Sequence, residues 1–437
     1  MNKTVQKGKT LLVDGPASVT VTSGMVEIFG FVPSPTNKIV IREGKRLPFA
    51  VQENATFDIS LAEKAGAEEV DGNTIPESWA KASEELVSLQ VKPATVMVLG
   101  AVDSGKTSFC TYLVNRLLSN KKRKVAILDG DLGQSDIGPP CTVAYTFVAK
   151  PVTDLFNLMA KNTVFIGATS PNGATQRVIE SLNTMKNEIL PSNPDIIVVN
   201  SDGWIEGEDA VSYKVRLVET ISPDMIFCFQ QKDEPAPLLN ALEKYRKVIV
   251  DSPSLIDQRS RESRKNLREL GYVKYLRNAR VLSLPLGWLK IENDDLFGLG
   301  KTFTNVRESR KIYDLLGMKP LHLVDQPDRV TVIIGRKRWI NGENLRKVEE
   351  TTKKKVIVVR KGEEEGLLIG LYNAHRKFLG IGLVKEVEYL RKTIKILTPV
   401  SGDIAIAVLG KVKLDKNMKE VPALEESQTD VGFSKLF

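Results

Sequence analysis

Residues Gly100-Ala101-Val102-Asp103-Ser104-Gly105-Lys106-Thr107 combine two glycines, a lysine and a hydroxyl in the spacing G-x-x-x-x-G-K-T, directly after an apolar run at 96–99. That spacing is the P-loop, which binds the phosphates of a nucleotide. Glycine lets the backbone approach phosphate so that successive N–H groups point at its oxygens, and the start of the following helix adds positive potential. These eight residues, together with Ser108, are the candidate nucleotide-binding set. Lys106 is placed to reach the outer phosphates as a compact cation, and the Thr107 hydroxyl to bind Mg²⁺.

Three further groups carry chemistry. Asp129-Gly130-Asp131-Leu132-Gly133-Gln134 puts two carboxylates two residues apart at the end of the next apolar run, and both face one site if the chain leaves the sheet at Gly130. In a P-loop enzyme one such acid serves Mg²⁺ and the other is free to accept the proton of an attacking hydroxyl; on the residues alone either assignment stands. Ser201-Asp202-Gly203-Trp204 ends another run, with an aromatic placed to stack on a base or sugar, a contact worth about 1–3 kcal/mol per base. In the stretch 257–268, Arg261, Arg264 and Arg268 fall three and four residues apart on one helix face, with Arg259 near its start. A row of guanidiniums that closes over a transferring phosphoryl group is a lid; away from such a site the same run reads as a solvated basic face.

Positioning these groups requires a sheet. Apolar runs at 125–128, 164–167, 196–199, 225–229 and 248–250 alternate with amphipathic stretches near 175–189, 209–220 and 235–245. That rhythm predicts a parallel sheet covered on both faces, with ligands at the carboxyl ends of its strands. Before it, residues 1–90 read as short strands between Gly, Pro and Asn turns, then a helix with Trp79, Ala82, Leu86 and Leu89 on one stripe, stopped by Pro93. After residue 281 strand patterns dominate again, and the basic loops Arg336-Lys337-Arg338 and Lys353-Lys354-Lys355 read as solvated turns or as a surface facing nucleic acid. The expected fold is α/β: a central P-loop NTPase domain (91–280) with a mostly parallel sheet, flanked by N-terminal (1–90) and C-terminal (281–437) β-rich domains.

The 437 residues, 42% hydrophobic and 27% charged, have the composition of a globular protein. No apolar run is long enough to span a bilayer and no signal-peptide pattern opens the chain, so a cytoplasmic location is expected. Cys110, Cys141 and Cys228 lack metal-ligand spacing, which argues against a zinc site. Two histidines, His322 and His375, are too few for a histidine-based catalytic system. The net charge of +8 suits a polyanionic partner.

In combination these residues resemble the polynucleotide 5'-hydroxyl kinase family, which includes the kinase subunit of eukaryotic pre-mRNA cleavage and tRNA splicing complexes, ribosomal-RNA-processing kinases and shorter archaeal relatives. The resemblance rests on the P-loop, on Asp131-Leu132-Gly133-Gln134 as a D-x-G-Q element and on Ser201-Asp202-Gly203-Trp204 as a [T/S]-x-G-W clasp. Arg259, Arg264 and Arg268 match the lid spacing of five and four, and Gly167-Ala168-Thr169-Ser170-Pro171 resembles the G-x-x-[S/T]-P loop. Ser201 stands where threonine is more usual and keeps the hydroxyl. The resemblance implies transfer of the γ-phosphate of ATP, or another NTP, to the 5'-hydroxyl of RNA or DNA, with RNA-processing proteins as partners. It casts Asp131 as the proton acceptor and leaves Asp129 to the metal. Gln134 orders the metal's water or the acceptor, and Ser201, Gly203 and Trp204 grip the acceptor end. Arg259, Arg264 and Arg268 steady the transition state, Arg264 foremost. The competing expectations are a nucleotide-bound scaffold subunit and a hydrolase acting as a switch, the latter without an acceptor clasp.

Overall fold

The strand that feeds the P-loop, Ala94–Leu99, is buried at every residue and lies inside a seven-stranded sheet. The order across that sheet is Asn162–Phe165, Thr142–Val148, Val125–Asp129, Ile196–Asn200, Ala94–Leu99, Met225–Gln230 and Lys247–Asp251. The last five run parallel, as their unbroken apolar runs require when both faces are covered. The first two form an antiparallel hairpin along one edge. The helices Thr175–Ile189 and Glu208–Ile221 fall where the periodicity predicts them, whereas the third expected helix is shorter, Ala236–Ala241.

The computed structural model describes residues 1–120, 123–230, 236–255, 259–294, 297–299 and 306–422, and it divides into two units, 1–268 and 269–437. Asp257 and Gln258, at the head of the expected lid, lie outside the described residues.

In the first unit, six N-terminal strands form an antiparallel sheet in which Arg46–Leu61 pairs with three neighbours. The expected helix spans Glu77–Ser88 and buries Trp79, Ala82, Ser83 and Leu86. Trp79 packs edge-on against Phe109, Tyr112 and Phe229, and its Nε1 donates to Asp251 O at 2.9 Å. Leu11, Phe49 and Phe57 of the N-terminal sheet therefore share one apolar cluster with Val96, Phe109 and Phe227 of the central one. The boundary drawn near residue 90 separates two sheets that are joined through a common core.

The second unit holds a seven-stranded sheet whose main path runs Arg280–Pro285, Thr393–Thr398, Phe378–Glu388, Leu367–Tyr372, Ile406–Leu414 and Lys290–Glu292. It also holds a three-stranded sheet, His322–Asp325, Arg329–Ile334 and Lys355–Arg360. Two helices, Val306–Leu316 and Gly342–Thr352, add to the strand-dominated pattern read from the sequence. Lys353 ends the second of them in a left-handed cap and Lys355 opens a strand.

Candidate active site

The P-loop passes from its strand to the helix Lys106–Asn120 through a crowded turn. A Cβ on Gly100 would lie 2.6 Å from Phe229 Cβ, so only glycine fits there. Asp103 takes a left-handed backbone, φ 57°, a conformation Asp tolerates better than most residues. Lys106 is 5% exposed and donates to Ala101 O at 2.6 Å. Burial lowers its pKa, and the nearby Asp131 opposes that shift. Ser104 Oγ is buried without a hydrogen-bond partner among the described residues, a donor that an incoming phosphate oxygen suits. Thr107 and Ser108 open the helix half-buried.

Asp129 and Asp131 are treated differently by the fold. Asp129 is fully enclosed, its Oδ2 accepting the N–H groups of Asp136 and Ile137 at 2.9 and 3.4 Å. Its Oδ1 accepts from Asp131 N at 3.3 Å and from Asn200 Nδ2 at 3.0 Å. The same Asn200 amide donates to Thr107 Oγ1 at 3.4 Å, so the structure links Asp129 to the helix start through Asn200. Burial, with Asp136 and Asp131 close by, pushes the Asp129 carboxyl up to about 7. Asp131 accepts the N–H groups of Gly133 and Gln134 on Oδ1 alone, both at 3.0 Å. Burial raises its pKa while Lys106 pulls it down. A Cβ on Gly133 would sit 3.1 Å from Thr169 O, which places the G-A-T-S-P loop directly behind this turn.

The helix expected as the lid is Arg261–Tyr275, and Ser260 Oγ caps it by accepting from Ser263 N at 3.0 Å. Arg264 Nη1 donates to Asp103 Oδ2 at 2.9 Å and to Arg259 O at 2.8 Å, while Arg259 N donates to Asp103 Oδ2 at 3.2 Å. Gln134 Nε2 donates to Gly133 O at 2.6 Å and to Arg264 O at 3.1 Å, so the side chain expected near metal or acceptor also ties the lid down. Arg259 Nη2 reaches Gly44 O of the N-terminal sheet at 2.8 Å. Arg268 lies one turn beyond Arg264 on the same face, and Arg261 is exposed.

At the clasp, the Ser201 hydroxyl donates to Val98 O at 2.8 Å, holding the loop to the P-loop strand. A Cβ on Gly203 would fall 2.7 Å from Val102 N, so the two loops touch backbone to backbone. Asp202 accepts from Trp204 N at 3.0 Å and, on Oδ2, from Tyr213 Oη and the buried Lys214 Nζ, both at 2.8 Å. Trp204 stacks on Tyr213 at 5.8 Å between ring centroids.

Sequence reasoning passes over Asn200, Lys214 and the role of Asp103 as the lid's anchor. It also misses Arg42, which donates to Asp136 and Asp154, each at 2.6 Å, and offsets the acids behind Asp129. Only Asn200 carried a signal, as a polar residue closing an apolar strand just before the clasp.

Among the described residues no group of three His, Cys, Asp or Glu could hold a metal. Mg²⁺ needs none: it keeps several waters and binds through one or two side chains plus substrate phosphates. Thr107, linked through Asn200 to Asp129, fits that requirement.

Residues 100–278 match the family model described as the mRNA cleavage and polyadenylation factor CLP1 P-loop. Over 361 residues the chain is 29% identical to a polyribonucleotide 5'-hydroxyl-kinase of Pyrococcus abyssi, covering 81% of this chain and 96% of that one. A protein of the same description from Methanocaldococcus jannaschii is 28% identical over 348 residues, with 76% and 91% covered. The polynucleotide 5'-hydroxyl-kinase GRC3 of Candida albicans is 27% identical over 232 residues, with 49% and 33% covered. Among solved structures, Clp1p from the Clp1p–Pcf11p complex has a similar fold, with a TM-score of 0.65 at 13% identity and coverage of 94% and 97%.

Proposed function

We propose that this chain is a polynucleotide 5'-hydroxyl kinase, which transfers the γ-phosphate of ATP to the 5'-hydroxyl end of RNA. The observation that carries the reading is the gathering of a buried P-loop lysine, a half-buried carboxylate with one oxygen uncommitted and two lid arginines around one loop. A hydrolase also uses a lysine, a group that orients the nucleophile and an arginine, so the clasp and the lid are what favour a transferase. A transferase also needs a base for the incoming hydroxyl, an acceptor clasp, and a lid that keeps water out.

In this reading the P-loop N–H groups and Lys106 take the β- and γ-phosphates, the lysine leaving Ala101 O to do so. Thr107 holds Mg²⁺ with Asp129 and Asn200 behind it, and the ion, when bound, offsets charge on the phosphates. The acceptor's 5'-oxygen bonds to the γ-phosphorus as its proton passes to Asp131, and the bond from that phosphorus to the β-phosphate oxygen breaks, releasing ADP. A carboxylate whose pKa burial has raised is the better proton acceptor. Arg264 and Arg259 exchange Asp103 for the equatorial oxygens of the transferring group. Gln134 keeps the lid in register with the Asp131 turn. Trp204, on its Tyr213 support, stacks on the acceptor's first base or sugar.

The test is incubation with γ-labelled ATP and Mg²⁺ beside matched oligoribonucleotides ending in 5'-hydroxyl or 5'-phosphate. Label is expected on the first alone. Trapped nucleotide with no labelled strand would favour the scaffold reading, and release of phosphate without a strand would favour the hydrolase.

A further inference from the structure

The excess positive charge of the chain lies entirely in its C-terminal unit. Residues 269–437 hold 31 Lys and Arg against 22 Asp and Glu, a net +9, whereas residues 1–268, with the whole phosphate site, hold 31 against 32. Within the C-terminal unit, the parallel strands Arg329–Ile334 and Lys355–Arg360 end side by side, joined by the helix Gly342–Thr352. Alternate residues of these strands face two cores: Val330, Val332 and Ile334 pack under the helices, and Ile333, Ile357 and Val359 pack on the larger sheet. With both faces covered, the carboxyl ends of the strands are what such a sheet offers to a ligand.

Those ends carry Arg336-Lys337-Arg338-Trp339 and Arg360. Arg338 N donates to Gly335 O at 2.9 Å, closing a turn that leaves residues 336–339 exposed. Trp339 is 74% accessible, and the Arg360 guanidinium lies over its ring at 5.3 Å from the centroid. An exposed ring with a cation over one face is an arrangement that can take a base on its surface. Three nearby acids are paired, Glu365 with Arg336 at 3.4 Å, Glu363 with Arg360 at 4.0 Å and Glu386 with Lys361 at 3.2 Å, and the fourth, Glu364, is fully enclosed, with its Oε1 unpartnered among the described residues. Lys337 and Arg338 have no acidic partner within 4.0 Å among the described residues. A cavity of about 330 Å³ next to Arg336 is lined by Arg336, Lys361 and Lys385 together with Glu364, Glu365 and Glu386, so its charge is balanced and the excess cations are those of the turn itself.

We propose that this strand-end turn is a second nucleic-acid surface, which binds the body of a single-stranded RNA by stacking one base on Trp339 and setting its phosphates against Lys337 and Arg338. The chemistry is that of sequence-tolerant strand binding, an aromatic platform beside unpaired cations. The proposal rests on the kinase reading only for the choice of RNA as the strand.

The test uses the full chain and a fluorescent 20-nucleotide single-stranded RNA bearing a 5'-phosphate. Such a strand is no acceptor, so its binding is read whether or not the wild type transfers phosphate. Trp339→Ala should weaken binding about fivefold or more, and Trp339→Phe should restore most of it. The Lys337→Ala, Arg338→Ala double variant should also lower the salt dependence, reducing the slope of log K against log salt by about 1.4. Thermal midpoints equal to the wild type's show that the exposed substitutions leave the fold intact. Unchanged affinity and slope in these variants would overturn the proposal. So would a loss shared equally with a polyglutamate peptide while Trp339→Ala stays neutral, since the surface would then be a general polyanion or protein-binding face.

Discussion

Asp129 has both oxygens committed to backbone N–H groups and Asn200, while Asp131 accepts its two hydrogen bonds on Oδ1. The two carboxylates therefore have different capacities, although the sequence offers them as a symmetric pair. Asp131→Asn should keep the turn, because the amide oxygen still accepts from Gly133 and Gln134, and should keep nucleotide affinity. Its kcat on a 5'-hydroxyl oligomer is expected to fall by about 10²–10⁴, the usual contribution of a general base. Near-normal turnover would remove Asp131 from that role. Far from the site, Glu292 takes both guanidinium nitrogens of Arg376 at 2.8 and 2.9 Å. That pairing, helped by Lys290, brings its pKa from the ordinary 4.5 to about 2 against the effect of burial. A depressed carboxylate stabilises the fold above its unfolded pKa and loses that contribution as pH falls from about 4.5 through about 2. Arg376→Ala should thus lower the urea midpoint at pH 7, with the deficit narrowing toward pH 2. A deficit independent of pH would assign the effect to packing instead.

At the scale of elements, the lid helix is seated at three places: on Asp103 through Arg264, on Gln134 through the Arg264 carbonyl, and against Gly44, where a Cβ would collide with Leu267. Hydrogen bonds to charged groups contribute about 1.5–3 kcal/mol each. Asp103→Ala should therefore speed hydrogen exchange at residues 261–268 about tenfold, while leaving the protection of the central strands unchanged. Equal exchange would mean that the other two seats suffice. The sequence made the lid's face legible because helical spacing is local information, and it made the P-loop legible for the same reason. It could not make Asn200 legible as the bridge between Thr107 and Asp129, since those three residues meet only once the strand Ile196–Asn200 pairs beside Val125–Asp129. Gly44 and Arg42 stayed silent because their partners lie about 90 to 220 residues away. The helices Val306–Leu316 and Gly342–Thr352 stayed hidden because each buries few apolar residues, such as Leu345 and Val348, inside a strongly charged stretch.

At the scale of the molecule, the N-terminal sheet is built into the first unit. Trp79 stands between the two sheets with no exposed surface, fixed by three aromatic neighbours and a hydrogen bond to Asp251 O. Trp79→Ala should cost about 3–5 kcal/mol. Calorimetry on the variant should find the N-terminal sheet and the central sheet melting together at a lower temperature. Two separated transitions would show that the sheets keep independent cores. The backbone contact between Gly203 and Val102 has a consequence of another kind. In the proposed reading the loop for the acceptor strand and the loop for the nucleotide are pressed together like two jaws cut from one block. The gap a phosphoryl group would cross is then gauged by main-chain atoms and does not depend on the side-chain seats of the lid. A single added methyl at residue 203 would widen that gauge, and the reaction would register it as a loss of rate even with both substrates fully bound.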